Sequence, residues 1–230
     1  MPRPQADTAT ALLGMDHLAL RVVDPEPMAA FLSEHCAMER GESAEGFTVL
    51  APAGGRTKLF LFEADEPPAP GVLERVILRV SDLKGALGRL PRGLDVERAD
   101  PEVAAFEGPE GLGLGLTSVY GGVDYDIDQI VLRVMDPDET TIAMAELGFV
   151  PRGSALHVAD KQVRLRPGIR SAGEREPLSH IGVLVESVDA VRDQALRGGL
   201  QIDELTLAPN ELGVYVRGPE RIRVEYAERR

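Results

Sequence analysis

The sequence predicts an α+β protein of four repeated modules, each a strand, a helix and then two or three strands, paired into two halves, and three observations carry that prediction. Four short segments align without gaps, each is followed by a helix-start signal, and one turn sequence recurs at twice the module period. The four segments open at residues 16, 74, 128 and 179, so the period is 58, 54 and 51 residues. They read Asp16-His17-Leu18-Ala19-Leu20-Arg21-Val22, Glu74-Arg75-Val76-Ile77-Leu78-Arg79-Val80, Asp128-Gln129-Ile130-Val131-Leu132-Arg133-Val134 and Ser179-His180-Ile181-Gly182-Val183-Leu184-Val185. In each, one alternating set is wholly aliphatic (Leu18, Leu20, Val22; Val76, Leu78, Val80) and the other polar or mixed, which marks a strand with one packed face.

An acid or serine, often with a proline, follows every strand: Asp24-Pro25, Ser81-Asp82, Asp136-Pro137, and Ser187 with Asp189. Such residues accept the free N–H groups of a helix's first turn. Helices are expected over 27–34, 83–90, 139–147 and 188–197, then short strands separated by turn residues, as at 46–50, 58–62, 214–216 and 222–226. The turn Gly108-Pro109-Glu110 recurs as Gly218-Pro219-Glu220, each leading into a final strand. Modules one and two, and three and four, are therefore expected to pair. The expected organisation is a tail over 1–14, one half over 15–122 and a second half over 123–230.

Composition narrows the function. The 230 residues suit one large domain or two of about 110 residues. Lys and Arg total 25 against 38 Asp and Glu, and a net charge of −13 with no segregated basic patch excludes nucleic acid as a partner. No apolar run approaches the roughly 18 residues that span a bilayer, so no membrane partner is expected. A lone cysteine, Cys36, can form neither an internal disulfide nor a Cys-x-x-Cys knuckle, which points to a reducing compartment and a cytoplasmic protein. It has no sequence partner marking it as a nucleophile. The alternating Gly111, Gly113 and Gly115 lie in a strand-like run and open no helix, so no nucleotide cofactor is implied. Serine-hydrolase, zincin and P-loop patterns are absent.

From about Met15 to Glu228 these residues resemble the vicinal oxygen chelate superfamily, which includes glyoxalase I, fosfomycin and bleomycin resistance proteins and type I extradiol dioxygenases. That resemblance implies βαβββ modules paired into two curved, mixed-sheet halves, with metal ligands at the start of a module's first strand and in a module's last strand. Carried over, those positions are Gln129, His180 and Glu225 in the second half, and His17, Arg75 and Gly115 in the first. Gly115 has no side chain and Arg75 is permanently cationic, so the first-half site is read as dead and His17 as structural, with Arg75 holding an anion or pairing with an acid. The bland reading of Glu225 is an ion pair with Arg221 or Arg223 on a solvated face.

Tyr215, in a decayed form of the family's terminal turn, is the candidate catalytic residue that orients substrate; its bland reading is a packed aromatic. The histidine that ring-cleaving members carry ahead of this tyrosine is missing, since 204–212 contains none, and His157 has no assigned role. The resemblance implies a metal-dependent enzyme on a small oxygenated molecule, most like an extradiol dioxygenase using Fe(II) or Mn(II). Two alternatives are a glyoxalase-like isomerase or lyase with Zn(II) or Ni(II), and a metal-free binding or resistance protein. A homodimer is compatible with each.

Overall fold

The protein is seen here in a computed structural model that describes residues 10–41, 43, 46–69, 71–168, 176–208 and 211–229. Four βαβββ modules follow one another. The first contains β1 (Leu12–Val22), α1 (Pro25–His35), β2 (Met38–Arg40), β3 (Phe47–Pro52) and β4 (Lys58–Glu63). The second has β5 (Leu73–Val80), α2 (Leu83–Leu87), β6 (Glu97–Asp100), β7 (Val103–Glu107) and β8 (Gly113–Ser118). In the third are β9 (Ile127–Val134), α3 (Pro137–Glu146), β10 (Val150–Arg152), β11 (Ala155–Val158) and β12 (Lys161–Pro167). The fourth comprises β13 (Leu178–Val185), α4 (Val188–Arg197), β14 (Gln201–Ala208), β15 (Glu211–Arg217) and β16 (Arg223–Arg229).

Each helix starts where a side chain can satisfy its free N–H groups. Asp24 accepts from the amide of Glu26, Asp82 from Gly85, Asp136 from Asp138 and Glu139, and Ser187 from Ala190. Proline at the first position brings α1 and α3 two residues nearer their caps than the apolar pattern alone suggested. Helix α2 is short, ending at Leu87 before Gly88.

Two eight-stranded mixed sheets result, ordered β14-β15-β16-β13-β1-β4-β3-β2 and β10-β11-β12-β9-β5-β8-β7-β6. The expected pairing of modules is thereby corrected: one sheet joins modules one and four, the other modules two and three. β1 lies antiparallel to β13 and β5 antiparallel to β9. Four near-identical first strands can satisfy one another in more than one combination, and a sequence repeat does not say which edges meet. Neighbouring modules do touch, but away from the sheet seams. Phe31 and Phe106 lie 6.3 Å apart, His35 Nδ1 donates to the Arg89 carbonyl at 2.8 Å, and the Tyr226 hydroxyl donates to the Leu147 carbonyl at 2.8 Å.

The repeated turn serves this contact. Glu110 accepts from the amides of Val23 and Asp24 at 2.8 and 3.0 Å, and Glu220 accepts from Met135 at 3.0 Å. Module two thus grips the strand–helix joint of module one, and module four that of module three. Both glutamates have positive φ, 56° and 53°, held by the flanking Gly-Pro and by these bonds. The expected tail over 1–14 is also shortened, because β1 begins at Leu12 and Thr10 donates to the Gln194 side chain; residues 1–9 lie outside the described ones.

The aliphatic face of each first strand enters one continuous core with helix residues such as Met28, Leu32, Met144 and Val191. Cys36 is fully buried within it, and burial pushes its thiol up to about 12. A disulfide reagent at pH 8 is expected to leave the native thiol unmodified and to titrate it only after denaturation; labelling of the folded protein at the rate of a free thiol would contradict this. Among the described residues, no helix is long and apolar enough to cross a membrane.

Candidate metal centre

The polar face of the β1–β13 seam carries the chemistry. Around the pairing of Leu18 with Ile181, His17 stands opposite Gly182 and Ala19 opposite His180. Strand β16 lies parallel to β13 with Glu225 opposite Gly182, so Glu225 enters the same face from the next strand. The result is convergence: His17 Nε2 and His180 Nε2 are 2.9 Å apart, and Glu225 Oε2 is 3.1 Å from His180 Nε2 and 3.7 Å from His17 Nε2. Their donor atoms all lie within 4.8 Å of one another.

Surrounding groups fix the rings. Asp16 Oδ2 accepts from His17 Nδ1 at 3.0 Å, which leaves Nε2 to face the cluster, and Ser179 Oγ lies 3.2 Å from His180 Nδ1. Phe60 packs against His17 with centroids 4.7 Å apart, and Tyr215 meets His180 edge-on at 5.1 Å. Asp16, Lys58, Phe60, Phe62 and Tyr215 complete a cavity of about 210 Å³ around the three donors.

Charge is distributed unevenly. Burial alone would lower His17, but Asp16 and Glu225 outweigh it and raise its pKa above the ordinary value. Burial dominates at His180, whose pKa falls despite Glu225. Burial opposes ionisation of Glu225, yet hydrogen bonds from His17, His180 and Tyr215 hold it far below the usual carboxylate range. Asp16 and Glu225 thus favour the charged form of His17, whereas burial favours the neutral form of His180.

Of the residues expected from sequence, His180, Glu225 and Tyr215 come together, while Gln129 does not join them. It lies on β9 in the other sheet, opposite Ile77 on β5 and Gln162 on β12. His17, expected to be structural, takes its place because module four meets module one. The dead-half expectation is likewise corrected: the cluster draws one donor from the first half of the chain and two from the second. Glu225 is not on a solvated face, since its side chain is only 12% exposed. His157 lies on β11, in the other sheet from this cluster.

The other sheet shows what the same register becomes without donors. Arg75 stands opposite Val131 and Ile77 opposite Gln129, while Val131 pairs with Arg164 and Ile77 with Gly115. His17, His180, Glu225 and Phe60 thus correspond to Arg75, Gln129, Arg164 and Gly115. Two arginines make that locus cationic and unfit for a metal. The amide oxygen of Gln129 is buried with no hydrogen-bond partner, while its nitrogen donates to Asp128 at 3.1 Å.

Sequence reading missed Asp16, Lys58, Phe60, Phe62 and Ser179. One signal for His17 was present: histidine occupies the second position of the repeat only in modules one and four, the two that share a sheet.

A family model described as "Glyoxalase/Bleomycin resistance protein/Dioxygenase superfamily" matches residues 14–226. Among solved structures, a provisionally described dioxygenase from Bacillus subtilis is 15% identical with a TM-score of 0.73, covering 96% of this chain and 86% of that one. Glyoxalase I from Zea mays is 17% identical with a TM-score of 0.69, covering 94% and 92%. The cppA protein from Streptococcus pneumoniae is 13% identical with a TM-score of 0.63, covering 95% and 99%. Identities this low speak for the fold alone. No protein with a curated description matches the sequence.

Proposed function

The chain belongs to the Glyoxalase/Bleomycin resistance protein/Dioxygenase superfamily, and from that premise we propose that it is a metal-dependent enzyme acting on two adjacent oxygens of a small molecule, as an extradiol-type ring-cleaving dioxygenase. The observation that carries this reading is the convergence of two imidazole Nε2 atoms and one carboxylate oxygen on a single point. Such a donor set fits a divalent ion: the nitrogens face inward, Asp16 supports one ring from behind, and the carboxylate stays ionised. His17, His180 and Glu225 would hold the ion.

The fourth position in the register supports an oxygenase over an isomerase. Phe60 occupies it, the counterpart on β4 of Glu225 on β16, and a phenyl ring donates nothing. Two histidines and one carboxylate with open positions match the facial triad of non-haem Fe(II) oxygenases. A bound Fe(II) or Mn(II) ion would supply Lewis acidity and redox chemistry there.

The chain's own groups account for the rest of the site. Asp16 keeps the proton on His17 Nδ1 and so frees Nε2 for the ion. Phe60 and Phe62, nearly parallel at 6.3 Å, form an apolar wall that suits a planar ring and keeps water out. Lys58, opposite His17 in the register, presents an ammonium group to the cavity and favours the deprotonated form of a substrate oxygen. Tyr215, hydrogen-bonded to Glu225, orients the substrate.

Anaerobic reconstitution with Fe(II), Mn(II), Zn(II) and Ni(II) in turn, followed by oxygen uptake with catechol, tests the reaction. Uptake with iron or manganese, lost in His17→Ala, is the expected result. Metal retention without oxygen uptake, combined with turnover of a hemithioacetal, would move the assignment to a glyoxalase-like isomerase. Absence of metal after reconstitution would leave a binding protein.

A further inference from the structure

Beside the donor cavity lies a second one of about 350 Å³, lined by Arg21, Arg217, Arg221 and Arg223 together with Ser179 and Glu176. In a chain of net charge −13, four guanidinium groups around one cavity run against the composition. Part of this charge is matched. Asp203 pairs with Arg217 at 3.1 Å and lies 3.2 Å from Arg223 Nε, which makes no aligned hydrogen bond.

Arg21 is different. Its side chain donates only to the carbonyl of Glu176, at 3.4 Å, and among the described residues it has no carboxylate partner. Arg21 and Arg223 line the same cavity, and burial and the charge of Arg223 both lower the pKa of Arg21.

This cavity adjoins the donor cluster directly. Arg223 lies over the Tyr215 ring, 4.7 Å from its centroid, and Tyr215 lines the donor cavity. Ser179 and His180 are consecutive residues shared out between the two cavities. Arg223 also precedes Glu225 by two residues on the same strand face, a separation of about 7 Å.

We propose that the substrate is an anion, a small oxygenated acid whose carboxylate or phosphate is held between Arg21 and Arg223 while its paired oxygens face His17, His180 and Glu225. This deepens the metal-enzyme reading and rests on it for the second half of the statement. Guanidinium groups match both oxyanions through paired N–H donors, and the stack on Tyr215 holds one of them in place before binding. The patch also offsets, locally, the repulsion that a net charge of −13 exerts on an approaching anion.

Calorimetric titration of the metal-free protein with benzoate and with phenyl phosphate tests the cavity apart from the metal. At least one probe is expected to bind, about tenfold or more weakly in Arg21→Met and in Arg223→Met, and unchanged in Arg164→Met on the other sheet. Which probe binds tells a carboxylate from a phosphate substrate. Arg21→Lys keeps the charge without the planar fork and covers the case in which Arg21→Met does not fold; about threefold weakening is expected. Failure of both probes on the wild type, equal binding in the Arg21 and Arg223 variants, or loss of binding only in Arg164→Met would overturn the proposal. Anion binding by a protein that takes up no metal would sustain the acid-binding cavity and sink the dioxygenase reading; metal uptake without anion binding would do the reverse.

Discussion

Replacing His17 with alanine is expected to weaken metal binding by well over tenfold, whereas Gln129→Ala should leave it unchanged. A supporting partner of a metal-bound histidine is typically worth about 10–100-fold in affinity, so loss of the ligand itself should cost at least as much. His17 is one of three donors within 4.8 Å, and Gln129 lies in the other sheet. Plasma mass spectrometry on anaerobically prepared protein decides the point; metal retained by His17→Ala and lost by Gln129→Ala would restore the assignment that the sequence first suggests. A pH dependence accompanies the effect. The pKa of His17 is raised, because Asp16 and Glu225 outweigh burial, so a proton and an incoming ion compete for the ring. Metal affinity should fall as pH drops below that raised pKa, as a titration of metal content against pH would show. The sign for the metal-free fold is opposite. A raised pKa stabilises fully below 6.5, and that stabilisation is lost as pH rises through the folded-state value, leaving ionised Glu225 beside two neutral rings.

Gly182→Ala should act almost as strongly without touching a donor. A Cβ at Gly182 would overlap the His17 ring, which already has Phe60 on one side and Asp16 at Nδ1. The imidazole must leave its place facing His180, so metal affinity should fall by about tenfold or more. Overpacking of this kind costs about 1–3 kcal/mol in stability, and Leu18 and Ile181 face the core on the other side of the sheet, so the fold should survive. Thermal melts and metal content measured together would separate the two effects; unchanged metal content in a folded variant would show that the ring accommodates the added Cβ without leaving the cluster. Val131 holds the same register position in the other sheet, opposite Arg75, whose flexible stem accommodates a branched neighbour.

Much of the architecture was legible in the sequence because periodicity is a local property. Alternating aliphatic positions at Leu18, Leu20 and Val22, with Asp24, Asp136 and Ser187 as caps, set strands and helices one at a time. Partner choice between strands is not local. Whether β1 meets β5 or β13 depends on edges far apart in the chain, and the wrong choice exchanged His17 for Gln129 while leaving His180 and Glu225 in place. Phe60 and Lys58 were invisible as site residues for the same reason: they read as one more alternating strand until β4 was laid beside β1. The cationic cavity needed three separate strands and a turn before its arginines stood together.

The contact between His17 and His180 joins residues 163 positions apart. During synthesis, at about 5–20 residues per second, β1 must therefore wait roughly ten to thirty seconds for its partner to leave the ribosome. Glu225 comes later still. A nascent chain holding only the first two modules carries His17 without His180 or Glu225, so the three-donor cluster cannot yet form. On the proposed metal-enzyme reading, loading would be confined to a chain whose first and fourth modules have already met, and metal uptake would report that the seam between them has closed.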